Sequence, residues 1–222
     1  MVEFMDMEMT GIFQVDMLTQ IVVGTSVGIL GLVSFALMTI SSPAVNTDIG
    51  CACGQIKGKL AGTSVLHMVC YCDDCQDLDA RLRAKYPNLA PALNAKGGTT
   101  VIAAFPSEVT ITEGADKLTQ VKLMEHTATR RVYASCCGTH MFNATKKSIP
   151  FIGIAGSAFR DKNANLGEPQ VHIQTKFATS PVPGGFESSS LTFKLKLILR
   201  MVLNGSKKNP HPIDTSQPAK VL

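Results

Sequence analysis

Hydrophobic and polar positions change their spacing several times along the chain, and the first stretch has no period at all. From Ile21 to Ile40 the run IVVGTSVGILGLVSFALMTI carries no charged side chain on any face. At about 1.5 Å per helical residue it matches a hydrocarbon core of about 30 Å. It therefore predicts a transmembrane helix over residues 21–40, stopped by Pro43. Residues 1–20 form an acidic segment, with Glu3, Asp6, Glu8 and Asp16 and no lysine or arginine. A basic lead-in, as a cleavable signal peptide needs, is missing. A buried core helix, or an extension upstream of the native start, stays open as an alternative.

Beyond a linker at 41–48 the pattern turns to alternation and short β-type runs. Gln55–Leu60, Val101–Phe105, Val109–Thr112, Leu118–Leu123, Arg130–Ala134 and Phe151–Ile154 predict strands, separated by Gly and Pro. One helix is expected just after Cys75, carrying Leu78, Leu82 and Tyr86 before Pro87, and residues 88–98 read as a loop. A second helix is expected over Leu191–Leu203, stopped by Asn204-Gly205. Its apolar side is expected to pack on the domain rather than on an acidic membrane surface. Residues 206–222, with Pro210, Pro212 and Pro218, read as an extended tail. The folded domain is thus expected over 49–205.

Length and charge narrow this only slightly. A chain of 222 residues allows one ordinary domain plus appendages. The net charge of +4 hides opposite ends: acidic before the apolar run, basic from Lys194 to Lys220. No basic stripe interleaved with aromatics is present, so no nucleic-acid partner is expected. Lys57 and Lys59 follow the apolar run and no basic residue precedes it. The positive-inside rule then places the domain in the cytoplasm, anchored to the membrane through residues 21–40. If that segment is not native, the expectation is simply a cytoplasmic protein.

The cysteines change the picture most. All seven fall in three clusters: Cys51-x-Cys53, Cys70-x-Cys72-x-x-Cys75, and Cys136-Cys137 followed by Gly138-Thr139-His140. Thiolates this close can point at one tetrahedral centre where the backbone turns sharply. Disulfides are the competing reading, but an odd count and very small rings disfavour them. Metal-binding thiolates must stay reduced, in keeping with a cytoplasmic domain.

These clusters carry a resemblance. Cys51-Ala-Cys53-Gly54, Cys70-Tyr-Cys72-Asp-Asp-Cys75-Gln76 and Cys137-Gly138-Thr-His140-Met141 resemble the glutathione-dependent formaldehyde-activating enzyme family. That family includes the centromere protein V type of zinc domain, and the downstream part looks like a divergent bacterial branch of it. The resemblance implies a mainly β, Mss4-like (β-tent) fold with a few short helices and two zinc ions. It places Cys51, Cys53 and Cys137 in a closed structural site. The position matching that site's remaining cysteine is Ala134, so Cys136 is the expected fourth ligand, with His140 or water as alternatives. Cys70, Cys72 and Cys75 fall on an open zinc site. The implied chemistry there is of the carbon–sulfur lyase type, joining a small thiol such as glutathione to an aldehyde or cleaving the adduct.

Around the open site, His67 is a candidate proton shuttle, and Asp73 and Asp74 are candidate neighbours of the metal or merely solvated. Arg130 and Arg131 could bind a substrate carboxylate, although solvation of the strand is the favoured reading. His126 and His172 have no assignable partner. A non-catalytic, zinc-stabilised binding module tethered to the membrane is the alternative function.

Overall fold

The computed structural model describes residues 17, 19–32, 43–144, 151–161, 164–203, 209–216 and 218–222. The chain divides into two units, Met1–Ser41 and Ser42–Leu222.

In the first unit, residues 19–32 form a helix, α1, exposed throughout. Thr25 and Ser26 donate their hydroxyl hydrogens back to the carbonyls of Ile21 and Val22, at 2.8 and 2.7 Å, which satisfies both hydroxyls on the helix itself. At about 1.5 Å per residue the described part of this helix is about 21 Å long. Among the described residues no helix is long and apolar enough to cross a membrane. Residues 33–40 of the expected span lie outside the described residues.

The second unit is mainly β, as expected. A three-stranded antiparallel sheet joins β1 (Val45–Gly50), β2 (Lys57–Gly62) and β5 (Val109–Glu113) in that order. The second sheet has eight strands: β3 (Leu66–Cys70), β4 (Thr99–Ala104), β6 (Leu118–Lys122), β7 (Arg130–Ala134), β8 (His140–Ala144), β9 (Ile152–Ala155), β10 (Val171–Ile173) and β11 (Lys220–Val221). Their order is β10-β3-β4-β9-β8-β7-β6-β11, antiparallel inside and parallel at both edges. Two helices complete the unit, α2 (Asp73–Lys85) and α3 (Leu191–Leu203).

Alternation along the strands decides which face each residue serves. Val45, Ile49 and Leu60 of the small sheet meet Ile102, Val132, Phe142 and Ile154 of the large one, and this is the main core. The opposite face of the large sheet takes the helices. Leu78 and Leu82 of α2 pack on Val121 and Tyr133, while Phe193 of α3 packs on Leu66, Ala103 and Val171. The expected packing of α3 on the domain is therefore found.

Three expected boundaries change. Residues 45–48 of the expected linker at 41–48 belong to strand β1: Val45 and Ile49 are its inward positions, and the polar Asn46, Thr47 and Asp48 between them mask the alternation. The tail is not free either. Ile213 and Thr215 are buried, and Lys220–Val221 pairs with β6. The helix expected after Cys75 starts earlier, at Asp73, with Cys72 as its N-cap residue.

Candidate metal centres

Two groups of thiols form where loops leave the sheets. In the first, Cys51 follows β1 and Cys53 stands in the turn before β2. Gly54, at φ +77°, closes that turn and donates its N–H to the Cys51 carbonyl at 3.0 Å. Glycine takes this left-handed conformation without the steric cost a side chain would meet. The partner pair lies between β7 and β8. There the N–H groups of Cys137 and Gly138 both reach the Ala134 carbonyl, at 3.3 and 2.8 Å, and Gly138 has φ +80°.

That turn settles the geometry of the adjacent cysteines. Neighbouring residues on a straight strand point to opposite faces, but here the chain bends and both sulfurs face one centre. The sulfur of Cys51 lies 3.4 Å from Cys53 and 3.7 Å from Cys136, with Cys53 to Cys136 at 3.3 Å and Cys136 to Cys137 at 4.0 Å. These values bracket about 3.8 Å, the edge of a tetrahedron with metal–sulfur bonds of about 2.3 Å. The four thiols could hold a metal ion. Cys136 thus stands with the other three sulfurs, and His140 is not part of the group; Ala134 is in the core.

Fixed donors orient the sulfurs. The Ile56 N–H donates to the Cys51 sulfur at 3.2 Å, and Thr139 Oγ1 lies 3.2 Å from that of Cys137. Thr139 Oγ1 also accepts the Ala52 N–H at 2.9 Å, tying the two cysteine turns together. Burial works to raise the Cys137 thiol, but hydrogen bonds from Thr139 and neighbouring groups bring it down to about 6. Burial pushes the Cys136 thiol up.

The second group is Cys70, Cys72 and Cys75, whose sulfurs also gather closely enough to hold a metal ion. Cys70 ends β3, Cys72 caps α2, and Cys75 sits in its first turn, 2.9 Å from Cys72 between sulfurs. The helix N-terminus favours negative charge at this point. Hydrogen bonds from the Cys70 and Cys75 thiols hold Cys72 down at about 2. Cys70, as a donor to Cys72, is pushed up to about 11, and Cys75 is raised further by the same sharing.

A cation of the chain itself stands close. Arg131, buried on β7, places Nη1 3.8 Å from the Cys75 sulfur and Nη2 3.5 Å from Asp74 Oδ2. Nη1 also donates to Asn143 Oδ1 at 2.8 Å. The same oxygen lies 3.0 Å from His140 Nε2, so that nitrogen carries the hydrogen. Burial first, and the charge of Arg131 second, lower the His140 pKa to about 4. His140, Cys75, Asp79 and Thr99 line a cavity of about 20 Å³, room for about one water molecule.

Several expected neighbours are placed elsewhere. His67 pairs across the sheet with Ile102, and Cys70 with Thr99, so the two lie on opposite faces of β3. The His67 ring, Nδ1 2.7 Å from the Gly167 carbonyl, is not brought to the thiols. Asp73 is exposed, whereas Asp74 is half-buried against Arg131. Arg130 donates to Gln120 at 3.3 Å. His172 has a partner after all, with Nδ1 3.3 Å from the Tyr71 hydroxyl. The residues that spacing did not single out are Thr139 and Asn143, whose roles depend on the turn and on the register of β7 with β8. Arg131, Asn143 and their paired backbone positions define that register.

No curated protein matches the chain. Among solved structures, a Rhodobacter sphaeroides protein determined as a structural-genomics target is similar at 15% identity and a TM-score of 0.38, covering 55% of this chain and 96% of its own. A family model matches residues 44–219, from the start of β1 almost to β11, and the chain belongs to that family, a family of unknown function (DUF6151).

Proposed function

We propose that this chain is a two-zinc domain of the glutathione-dependent formaldehyde-activating type, with a closed structural centre and an open one that takes a small thiol such as glutathione. The observation that carries this reading is the contrast between the two clusters. Cys51, Cys53, Cys136 and Cys137 make a full tetrahedral set, whereas Cys70, Cys72 and Cys75 supply three donors. All-thiolate donor sets suit zinc, and three protein ligands with an exchangeable fourth are the usual catalytic arrangement.

Zinc bound there supplies Lewis acidity that lowers the pKa of an incoming thiol. The chain's own part is to hold and orient. Cys70 and Cys72 are half-buried and so within reach from outside, Cys75 is buried, and Arg131 offsets part of the negative charge the thiolates bring. In the reaction a carbon–sulfur bond forms between thiol and aldehyde carbon, and the thiol proton ends on the aldehyde oxygen. Cleavage runs the same steps backwards. Adduct formation from glutathione and formaldehyde, followed by NMR, should exceed the spontaneous rate with wild-type protein and return to it with Cys72→Ser. Equal rates with both proteins would reject the enzyme reading.

A second reading, a non-catalytic zinc-stabilised binding module, rests on the cavities. The space beside Cys75 is about 20 Å³, whereas a groove of about 460 Å³ runs past the four-cysteine site, lined by Tyr86, Pro87 and Leu89. In either reading the uncharged run 21–40 is the proposed membrane tether, with the zinc domain on the cytoplasmic side.

A further inference from the structure

Helix α3 is apolar on two sides, and among the described residues only one of them is covered. At about 100° per residue, Phe193, Leu197 and Arg200 share one arc, and that arc faces the large sheet. Arg200 lies over the Phe105 ring at 5.1 Å and donates to Ser64 at 3.2 Å, which pins the helix down. Leu191, Leu195, Ile198 and Val202 fall within about 60° of each other on the opposite side. They are 72%, 57%, 54% and 75% exposed. Lys194 borders this stripe, about 40° from its edge, whereas Lys196 lies half-buried about 100° beyond the other edge, next to Arg200; no acidic residue occurs between Leu191 and Leu203.

We infer that this outer face of α3 docks on an anionic lipid surface, with its aliphatic stripe in the headgroup–acyl boundary, Lys194 at the phosphates and Lys196 extending to them over a longer reach. An apolar stripe bordered by lysines is the pattern of a helix lying in the membrane interface. The following sequence adds Lys207 and Lys208, and Asp214 is the only acid from residue 191 to the end. A second copy of the chain fits less well. A two-fold contact through the stripe would gather the lysines of both copies with no acid on α3 to pair them. The same chain also carries the uncharged run 21–40, so a membrane surface is within its chemistry.

The chain has no tryptophan, so a single one reports its own position alone, whatever residues 21–40 do. Ile198→Trp in the full chain, with Val202→Trp as a second reporter, is mixed with phosphatidylcholine vesicles with or without phosphatidylserine. The expected result is a blue-shifted emission, quenched by brominated lipid, on phosphatidylserine-containing vesicles. Adding Lys194→Gln and Lys196→Gln should weaken that binding roughly 30-fold, at about a factor of five per surface lysine. No quenching on any vesicle would overturn the inference, as would equal quenching on vesicles without phosphatidylserine. A blue shift that grows with protein concentration and needs no lipid would assign the face to a second copy instead.

Discussion

Arg131 and Cys75 meet on the helix-bearing face of the large sheet, guanidinium Nη1 to sulfur at 3.8 Å. A buried guanidinium is costly unless its surroundings supply negative charge, and here Asp74 and the three-thiol cluster do so. The arginine and the thiolates therefore stabilise each other, whichever is formed first.

Replacing that arginine tests the relationship. Arg131→Met removes the charge and one donor to Asn143, and should lower stability by about 1–3 kcal/mol. It should also weaken metal binding at the three-cysteine centre, measured by competition with a chelator, while leaving the four-cysteine centre unchanged. Arg131→Lys should recover only part, because a single ammonium cannot reach Cys75, Asp74 and Asn143 as a planar fork does.

The turn at Gly138 carries the second prediction. Its φ of +80° is unfavourable for any side chain, and a Cβ there would lie 2.5 Å from the Tyr86 ring. Gly138→Ala should cost about 1–2 kcal/mol or more, read in denaturant unfolding. It should also reduce metal retention at Cys136 and Cys137. Gly54→Ala, where a Cβ has open space, should cost less.

These two residues also show what could be read before any coordinates. The cysteine clusters, the glycine turn, β7 and α3 follow from local spacing, and each is found where the spacing places it. Arg131 does not follow from spacing. On a strand it looks like a solvated residue, and its real partners, Asp74, Cys75 and Asn143, come from two other elements. Strand β1 was hidden for a related reason: Val45 and Ile49 are separated by three polar residues, and only pairing with β2 makes the segment a strand. The C-terminal pairing of Lys220 and Val221 with β6 is likewise a long-range fact. His67 fails as a neighbour of the thiols on parity alone, since three residues along a strand reverse the face.

His140 predicts a pH dependence. Its folded pKa is about 4, against 6.5 for the free side chain. A depressed histidine pKa means that the unfolded chain binds the proton first as pH falls. Stability from this residue is full above about 6.5 and is lost as pH drops towards 4, by about 3 kcal/mol in total. His140→Gln keeps a donor towards Asn143 and should flatten that loss. Unfolding of both proteins at several pH values, metal present throughout, isolates the histidine from the protonation of the thiols. Parallel curves for the two proteins would contradict the assignment.

On the function proposed above, the thiols form two independent metal centres, one closed and one open. Zinc content of the 222-residue chain, wild type beside Cys72→Ser, is the decisive measurement. Two zinc ions should fall to one, with the far-UV circular dichroism of the folded domain retained. A single zinc in the wild type, unchanged by Cys72→Ser, would contradict that function and leave a domain folded around Cys51, Cys53, Cys136 and Cys137 alone.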